Sequence, residues 1–326
     1  MKDNKPILVP FLRSSMAGGG VSIRGLSKSY RLTEVIKDIH LDIPAGEVFG
    51  LIGPNGAGKT TTLKCIVGLI RDYQGEILID GQSALGSDTV NHIGYMPQSP
   101  RFVAWRNVHR ALRIFGRLNG MDLEILESRI DEVLEMLDII DFKSKPVTQL
   151  SGGTLQKLGF AQSILHSPSI LVLDEPMSSL DPQSRRQIRG IIQNLRERGT
   201  TVVFSSHILS DVQDIADRVG IINYGQITHL GKMEDIKREM RTTRLIDLDL
   251  SLDPKIDLAS IPGVDSVDVT GQTSYRIRVT DGQDTDVVID DIIWKVMNSG
   301  GSVRSVFPVT KSLEDVYMQH LGGRPL

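Results

Sequence analysis

Hydrophobic and polar residues alternate along the chain from Val21 onward, in segments that have the length of β-strands. VSIRGL and IKDIHLDIP carry apolar residues at alternating positions, which predicts two half-buried strands. EVFGLIG is a short apolar run and predicts a strand that is buried on both faces. It leads into glycine-rich PNGAGK, after which Leu63, Ile66, Val67 and Ile70 follow helical spacing. The pattern therefore predicts a strand, a glycine loop and a helix in succession.

The character of the chain changes between Ser99 and about Thr148, where strand signals are missing. Apolar residues recur there at intervals of three and four, which predicts two amphipathic helices. We interpret residues 99–150 as an all-helical insert. The apolar positions are Val108, Leu112, Phe115 and Leu118 in the first helix, and Ile130, Val133, Leu134 and Leu137 in the second.

Strands and helices alternate again after the insert. SILVLDEP, TTVVFSSH and VGIINYGQI have the composition of strands, and GEILIDG, before the insert, is a strand between glycines. Helices are predicted from Pro182 to Arg198 and from Ile208 to Arg218. This alternation predicts an α/β fold, in which helices cover a parallel or mixed sheet.

A different pattern of strands and helices begins after the charge-rich stretch MEDIKREMRTTR, which we interpret as a solvated helical linker. LIDLDLSL, VDSVDVT, SYRIRVT and SVRSVFPV predict strands, whereas VVIDDIIWKVMNSG and the closing SLEDVYMQHLG predict helices. Strands mixed with helices favour a small α+β domain. We therefore predict a leader at residues 1–20, an α/β domain at 21–240 and an α+β domain at 241–326.

Composition narrows the class of protein. The 326 residues include 40% hydrophobic and 24% charged residues, values typical of globular proteins, and the formal net charge of −3 predicts no strong attraction to nucleic acid. Cys65 is the single cysteine, which excludes an internal disulfide and fits a reducing compartment.

No apolar run approaches the roughly 18 residues that span a bilayer. The leader faintly resembles a signal peptide, but Pro6 and Pro10 interrupt its apolar patch, so a disordered leader and a cytoplasmic location are expected.

The glycine loop fits the phosphate-binding pattern G-x-x-x-x-G-K-[ST]. Glycines let successive backbone amides approach the β- and γ-phosphates of a nucleotide, and Lys59 adds a positive charge there. Thr60 offers its hydroxyl to Mg²⁺, and the dipole of the following helix adds to the attraction. The predicted nucleotide-binding residues of this loop are Gly53, Pro54, Asn55, Gly56, Ala57, Gly58, Lys59, Thr60 and Thr61.

Polar side chains at the ends of later strands supply candidates for hydrolysis. Asp174 ends the apolar strand SILVLD and is predicted to hold Mg²⁺, while Glu175 is placed to act as general base on the attacking water. His207, at the end of TTVVFSSH, is a candidate for contact with the γ-phosphate or the transition state. Gln98, in GYMPQSP, is a candidate for contact with Mg²⁺ or the water.

A second anion-binding feature lies far from the phosphate loop, in LSGGTLQKL. Ser151 is placed to cap a helix, and Gly152 and Gly153 leave the backbone amides uncovered, which suits an anion. The residues alone leave open which anion this is.

Taken in order, GPNGAGKTT, YMPQ, LSGGTLQKL, LVLDEP, SSLDP and SSHILSDV closely resemble the motifs of the nucleotide-binding subunit of ABC transporters. The resemblance extends from Val21 to about Lys237. It implies a P-loop ATPase with ATP and Mg²⁺, peripheral on the inner face of the membrane below separately encoded permease subunits. It also implies that Tyr30 stacks on adenine and that Asp181 belongs to a loop communicating between subunits.

The resemblance gives the second anion site a role. It implies a head-to-tail dimer, of two copies or of similar subunits, in which Ser151, Gly152 and Gly153 of one subunit cover the γ-phosphate held by the other subunit's loop. This sequence departs from the common motifs at Thr154, Met177 and Ser179, which affects the expected turnover rate more than the phosphate ligands.

Residues 241–326 resemble the accessory domain of exporter ATPases of the daunorubicin-resistance type, which implies export; an OB-like regulatory domain is the alternative. Two other functions stay open: an ABC ATPase that acts on DNA or ribosomes, and a regulatory module that does not hydrolyse ATP. Phe102 and Trp105 suit either the core of the insert or an interface with a permease. Cys65 and Trp294 are predicted to be core residues.

Overall fold

The computed structural model describes residues 19–86, 89–103, 106–241, 244–280 and 282–309, and these form two compact units that divide between Met233 and Glu234. Residues 1–18 of the predicted leader, the predicted closing helix and Trp105 lie outside the described residues. No helix in the described ranges is both long enough and apolar enough to cross a membrane.

A six-stranded sheet forms the centre of the first unit, in the order β10-β9-β3-β8-β7-β6. Neighbouring strands are parallel except for the antiparallel pair β9 and β10. The strands are β3 (Val48–Ile52), β6 (Ile93–Met96), β7 (Ile170–Asp174), β8 (Thr201–Ser206), β9 (Arg218–Asn223) and β10 (Gln226–Lys232). Every residue of β3, β7 and β8 is buried, as expected for continuous apolar strands in the middle of a parallel sheet.

A second sheet in this unit is antiparallel, with the order β2-β1-β4-β5. Its strands are β1 (Val21–Tyr30), β2 (Thr33–Ile43), β4 (Gln74–Ile79) and β5 (Gln82–Ser83). The alternating apolar residues of β1 and β2 join one hydrophobic core with residues of β3 and β7. Cys65 is fully buried in this core, which confirms its predicted role as core filler.

Within the described residues of this unit, six helices accompany the two sheets. The predicted insert contains α2 (Val108–Leu118) and α3 (Leu123–Met136), and Phe102 packs edge-on against Phe115 of the insert. The remaining helices are α1 (Lys59–Ile66), α4 (Gly152–Ile164), α5 (Pro182–Glu197) and α6 (Leu209–Ile215). Short 3₁₀ turns lie at Val90–His92, Ile140–Phe142 and Val147–Gln149.

Two features differ from the sequence-based expectation. The helix predicted to reach Arg218 ends at Ile215, because Arg218 begins β9 and pairs with Phe49 of β3. The stretch interpreted as a solvated linker is the helix α7 (Met233–Arg241), which buries Met233 and Ile236.

The second unit is an α+β fold. One helix, α8 (Thr285–Asn298), packs on a four-stranded antiparallel sheet in the order β12-β13-β11-β14, and a 3₁₀ turn lies at Leu258–Ser260. Trp294 is 68% exposed, so the prediction that it is a core residue is wrong; Val288, Ile292 and Val296 form the buried face of α8 instead. The strands are β11 (Leu245–Leu252), β12 (Val264–Val269), β13 (Ser274–Val279) and β14 (Ser302–Val309).

Candidate active site

The loop between β3 and α1 has a backbone that requires glycine. Gly56 and Gly58 have φ angles of 82° and 110°, in the left-handed region that other residues rarely adopt. At Gly53, a Cβ atom would lie 2.3 Å from the carbonyl oxygen of Ile222, so a larger residue does not fit. The loop therefore curls tightly, and its last residue leads directly into the first turn of α1.

Lys59 is buried and reaches back over this loop. Its Nζ donates to the carbonyl oxygens of Gly53 at 2.6 Å and Pro54 at 3.2 Å, and lies 3.7 Å from Oε1 of Glu175. Burial lowers the pKa of Lys59, and the negative charges of Glu175 and Asp174 oppose that change. The loop thus holds a positive charge at its centre.

An open cavity of about 320 Å³ lies above the loop and α1. It brings the loop together with Gln98, which follows β6, and with Glu175, which follows β7. Gly53 and Ala57 support the loop without lining the cavity. The lining residues are Val35, Pro54, Asn55, Gly56, Gly58, Lys59, Thr60, Thr61, Gln98 and Glu175.

Asp174 and Glu175 are linked by a hydroxyl group from the neighbouring strand. Ser205 pairs with Asp174 in the parallel register of β7 and β8. Its Oγ donates to Oδ1 of Asp174 at 2.7 Å and accepts from the backbone N–H of Glu175 at 2.9 Å. Both carboxylates are buried, and Oδ2 of Asp174 has no hydrogen-bond partner among the described residues.

Glu175 is held in an unusual conformation. Its φ angle is 51°, in the left-handed region, and its carbonyl oxygen accepts from Nε2 of Gln156 at 3.0 Å and from Oγ of Ser178 at 2.9 Å. Its Oε2 lies 2.7 Å from Nδ1 of His207, whose side chain is 47% exposed. The carboxylate is thereby fixed between Lys59 and His207, at the edge of the cavity.

The oxygen atoms around this cavity suit Mg²⁺. Asp174 and His207 do not line the cavity themselves, but the unpartnered Oδ2 of Asp174 is a buried carboxylate oxygen next to Glu175, which does. Thr60 and Gln98 line the cavity and carry a hydroxyl and an amide group. Hard oxygen ligands of this kind, completed by phosphate and water, are what Mg²⁺ prefers.

The other predicted site residues do not line the cavity. Ser151 caps α4, accepting from the N–H of Thr154 at 3.2 Å, and Gly152 and Gly153 form the first turn of that helix. A Cβ atom on Gly152 would contact nothing within 4 Å, so this helix end is open.

Asp181 and Tyr30 also lie apart from the cavity lining. Asp181 caps α5 through the N–H groups of Gln183 and Ser184, and hydrogen bonds from Ser184 lower its pKa to about 2. Tyr30, at the end of β1, is partly exposed, and the Lys28 ammonium lies 4.9 Å from its ring centre.

Three residues of this region were missed by the sequence analysis. Val35 lines the cavity, Ser205 links the two acids, and Gln156 holds the carbonyl group of Glu175. Ser205 carries a signal in the sequence, since it stands two positions before His207 at the end of an apolar strand. Nothing in the pattern around Val35 or Gln156 distinguishes them from other residues of their elements.

Comparisons with known proteins agree with this geometry. A family model described as "ABC transporter" matches residues 36–178, and one described as "ATP-binding protein DrrA1-3-like, C-terminal domain" matches residues 231–321. The uncharacterized ABC transporter ATP-binding protein YxlF of Bacillus subtilis is 34% identical over 92% of this chain and 98% of its own length. The linearmycin resistance ATP-binding protein LnrL of the same organism is 32% identical, over 69% of this chain and 73% of its own.

Solved structures show the same fold. An ATP-binding subunit of an ABC transporter superposes with a TM-score of 0.63 at 27% identity, over 67% of this chain and 92% of that chain. A dimeric ATP-binding cassette in a post-hydrolysis state, bound to ADP and Pi, gives a TM-score of 0.61 at 26% identity, over 65% and 98%.

Proposed function

Because this chain belongs to the ATP-binding ATPase subunits of ABC transporters, we propose that it drives an exporter through separately encoded permease subunits and hydrolyses ATP at a site shared between two subunits. The proposed hydrolysis rests on the buried carboxylate of Glu175 at the edge of the cavity. Its Oε2 lies 2.7 Å from Nδ1 of His207, and its Oε1 lies 3.7 Å from Nζ of Lys59.

The phosphate loop binds the β- and γ-phosphates of ATP in this proposal. Lys59 exchanges the neutral carbonyl groups of Gly53 and Pro54 for phosphate oxygens, which are stronger partners because they are charged. Backbone amides of the loop residues that line the cavity surround the phosphates, and Tyr30 stacks on adenine. Asp174, Thr60 and Gln98 would hold Mg²⁺, which would neutralise charge that develops on the phosphates.

Glu175 acts as general base on the attacking water. Its position at the cavity edge brings a carboxylate to the side of the γ-phosphate, and His207 fixes the carboxylate and contacts the transition state. Gln98, which lines the same cavity, orients the water.

The second half of each site comes from the partner subunit. The open first turn of α4 offers uncovered amides, yet Ser151, Gly152 and Gly153 do not line the cavity of their own subunit. We therefore place these residues on the γ-phosphate held by the partner, in a head-to-tail dimer. Asp181 is the N-cap of α5, and in this proposal it belongs to the loop that communicates between the two subunits.

Substitution of Glu175 tests the catalytic assignment. In Glu175→Gln the side chain keeps its size but no longer accepts a proton, so we expect phosphate release to fall by at least about a hundredfold while ATP still binds. Glu197→Gln, an exposed position on α5, is the matched control and keeps wild-type turnover. Unchanged turnover in Glu175→Gln contradicts the assignment.

Export is supported by two comparisons: the second unit matches a domain family of DrrA-like ATP-binding proteins, and a relative is named for resistance to linearmycin. The helical insert supplies a surface for a permease, because it exposes Leu118 (74%) together with Leu123 and Ile125.

Affinity purification in detergent tests the partner. We expect the tagged chain to retain a membrane protein with several hydrophobic spans, and the variant carrying Leu118→Ser and Ile125→Ser to lose it while hydrolysing ATP normally. Recovery of ribosomes or DNA instead of a membrane protein contradicts the proposal and favours the alternative function in the cytoplasm.

A further inference from the structure

A buried carboxylate lies outside the cavity, in the first turn of α6. Asp211 is 2% exposed, and its Oδ2 has no hydrogen-bond partner among the described residues. Two guanidinium groups of α5 approach it: Nη1 of Arg185 is 3.7 Å from Oδ2, and Nη1 of Arg189 is 3.7 Å from Oδ1. Burial raises the pKa of Asp211, and the two arginines oppose that change. A buried charge in this position is costly unless it is paired, so the pairing with α5 has to be maintained.

Arg185 also contacts the turn that follows the catalytic strand. Its Nε donates to the carbonyl oxygen of Leu180 at 3.1 Å. The start of the same turn is tied to Glu175, because the N–H and the hydroxyl group of Ser178 both donate to the carbonyl oxygen of Glu175. Arg185 therefore joins the turn that leaves Glu175 to the helix that contains Asp211.

The helix that contains Asp211 begins immediately after the His207 loop. Ile208 is the residue between His207 and the first residue of α6, and Ser206 folds over this loop through hydrogen bonds with the N–H and carbonyl group of Ile208. The position of α6 thus sets the position of the His207 backbone. His207 in turn contacts Oε2 of Glu175 at 2.7 Å, which closes a ring of contacts from Glu175 through Arg185 and Asp211 back to Glu175.

We propose that Arg185 and Asp211 are positioning residues that keep His207 on the carboxylate of Glu175. Because nearly half of the His207 side chain is exposed, packing around the ring does not fix it, and its place depends on α6. The ion pair with Arg185 holds α6 against the turn that follows Glu175. This inference rests on the roles proposed above for Glu175 and His207.

The test is a double-mutant cycle between Asp211 and His207. In Asp211→Asn the charge is removed at constant shape, and we expect kcat for ATP to fall about tenfold with KM unchanged. In the His207→Ala background, Asp211→Asn has no further effect on kcat, because the group that it positions is already missing. A general loss of structure would instead lower kcat by the same factor in both backgrounds.

Two variants of Arg185 and a control at Asp214 complete the experiment. Arg185→Gln reproduces the Asp211→Asn phenotype, whereas Arg185→Lys keeps a positive charge near Asp211 and restores part of the activity. Asp214→Asn is the matched control, since Asp214 pairs with Arg189 on the outer side and has no contact with Arg185 among the described contacts. Thermal unfolding followed by circular dichroism identifies any variant that loses its fold. If Asp211→Asn or Arg185→Gln does so, the kcat of Arg185→Lys is compared with that of the wild type instead.

The outcomes separate the two proposals. If Glu175→Gln hydrolyses ATP normally, the proposed function fails. If Glu175→Gln is inactive but the Asp211 and His207 effects multiply, the positioning role alone is overturned. A rise in KM at constant kcat in Asp211→Asn overturns it as well, because positioning of His207 acts on the chemical step.

Discussion

At the scale of single residues, Lys59 carries the largest predictable effect. Its ammonium group is buried, and its partners are two backbone carbonyl groups and the more distant carboxylate of Glu175. Burial lowers its pKa, so the group gains from an anionic partner. In the proposed function, a phosphate of the nucleotide is that partner.

We expect Lys59→Ala to weaken ATP binding by roughly tenfold to a hundredfold, because a charge-assisted contact with phosphate is lost. Hydrolysis falls below detection for the same reason. Titration with a fluorescent ATP analogue and a phosphate-release assay measure the two effects. Lys64→Ala, on the same helix but outside the cavity lining, is the control and binds ATP normally. Wild-type affinity in Lys59→Ala contradicts the role given to this side chain.

The residues of the phosphate loop were predictable because they are contiguous and the loop backbone itself dictates glycine. The bridge through Ser205 was not, since it depends on the register of β7 against β8, which brings together residues that are far apart in the sequence. Val35 reaches the cavity from β2 of the antiparallel sheet, and the alternation of that strand gives no indication of what lies next to it. Spacing thus identifies a binding loop, whereas contacts between elements require the fold.

At the scale of elements, Asp181 stabilises the start of α5 both as a hydrogen-bond acceptor and as a negative charge. The Asp181 side chain accepts hydrogen bonds from the N–H groups of Gln183 and Ser184, and Pro182 occupies the first helical position. Its pKa is lowered to about 2 by these hydrogen bonds, from an ordinary value of 3.8. Because the folded-state pKa lies below the unfolded-state value, the charged cap stabilises the protein above pH 3.8, and this contribution is lost as the pH falls through about 2.

We expect Asp181→Asn to lower the melting temperature slightly at pH 6 and by less at pH 3, because asparagine keeps the cap but removes the charge at the N-terminus of α5. Asp181→Ala, which loses the acceptor as well, melts below Asp181→Asn at both pH values. Differential scanning calorimetry at the two pH values measures the gaps. A gap between wild type and Asp181→Asn that widens toward low pH contradicts the direction of the pKa change.

Element types were predictable, but their ends and faces were less so. The predicted helix up to Arg218 was too long because pairing with β3 takes that residue into β9, a tertiary effect that helical periodicity does not show. The apolar stretch around Trp294 offers more apolar residues than one helix face can bury. The sheet takes Val288, Ile292 and Val296, which are spaced four residues apart, and leaves Trp294 exposed.

At the scale of the whole molecule, the question is whether one subunit contains a complete site. Its cavity is lined by the phosphate loop, Gln98 and Glu175, and it is open toward solvent. The residues at the open end of α4, Ser151, Gly152 and Gly153, are not part of that lining. When only Lys59 and the loop bind a phosphate, its outer oxygens stay in contact with water. A second subunit that covers these oxygens would complete the site.

Cross-linking tests this arrangement. Gln149 precedes the open end of α4 and Asn55 lies in the phosphate loop, and both side chains are exposed. In a chain carrying Gln149→Cys, Asn55→Cys and Glu175→Gln, we expect a short bifunctional thiol reagent to produce covalent dimers with ATP and Mg²⁺. We expect few dimers with ADP, because in the proposed arrangement the γ-phosphate joins the two subunits. Cys65 stays in place, since it is buried and its pKa is raised to about 12, so it does not react.

Two controls decide the interpretation. Each single cysteine variant should remain monomeric on a denaturing gel, because a head-to-tail dimer brings Gln149 of one protomer near Asn55 of its partner and keeps identical residues apart. Addition of Lys59→Ala should abolish the ATP-dependent dimers, since the nucleotide no longer binds. Dimers of equal yield with ATP, with ADP and without nucleotide would mean that the γ-phosphate does not join the subunits. Ser151, Gly152 and Gly153 would then have to bind something other than the partner's ATP.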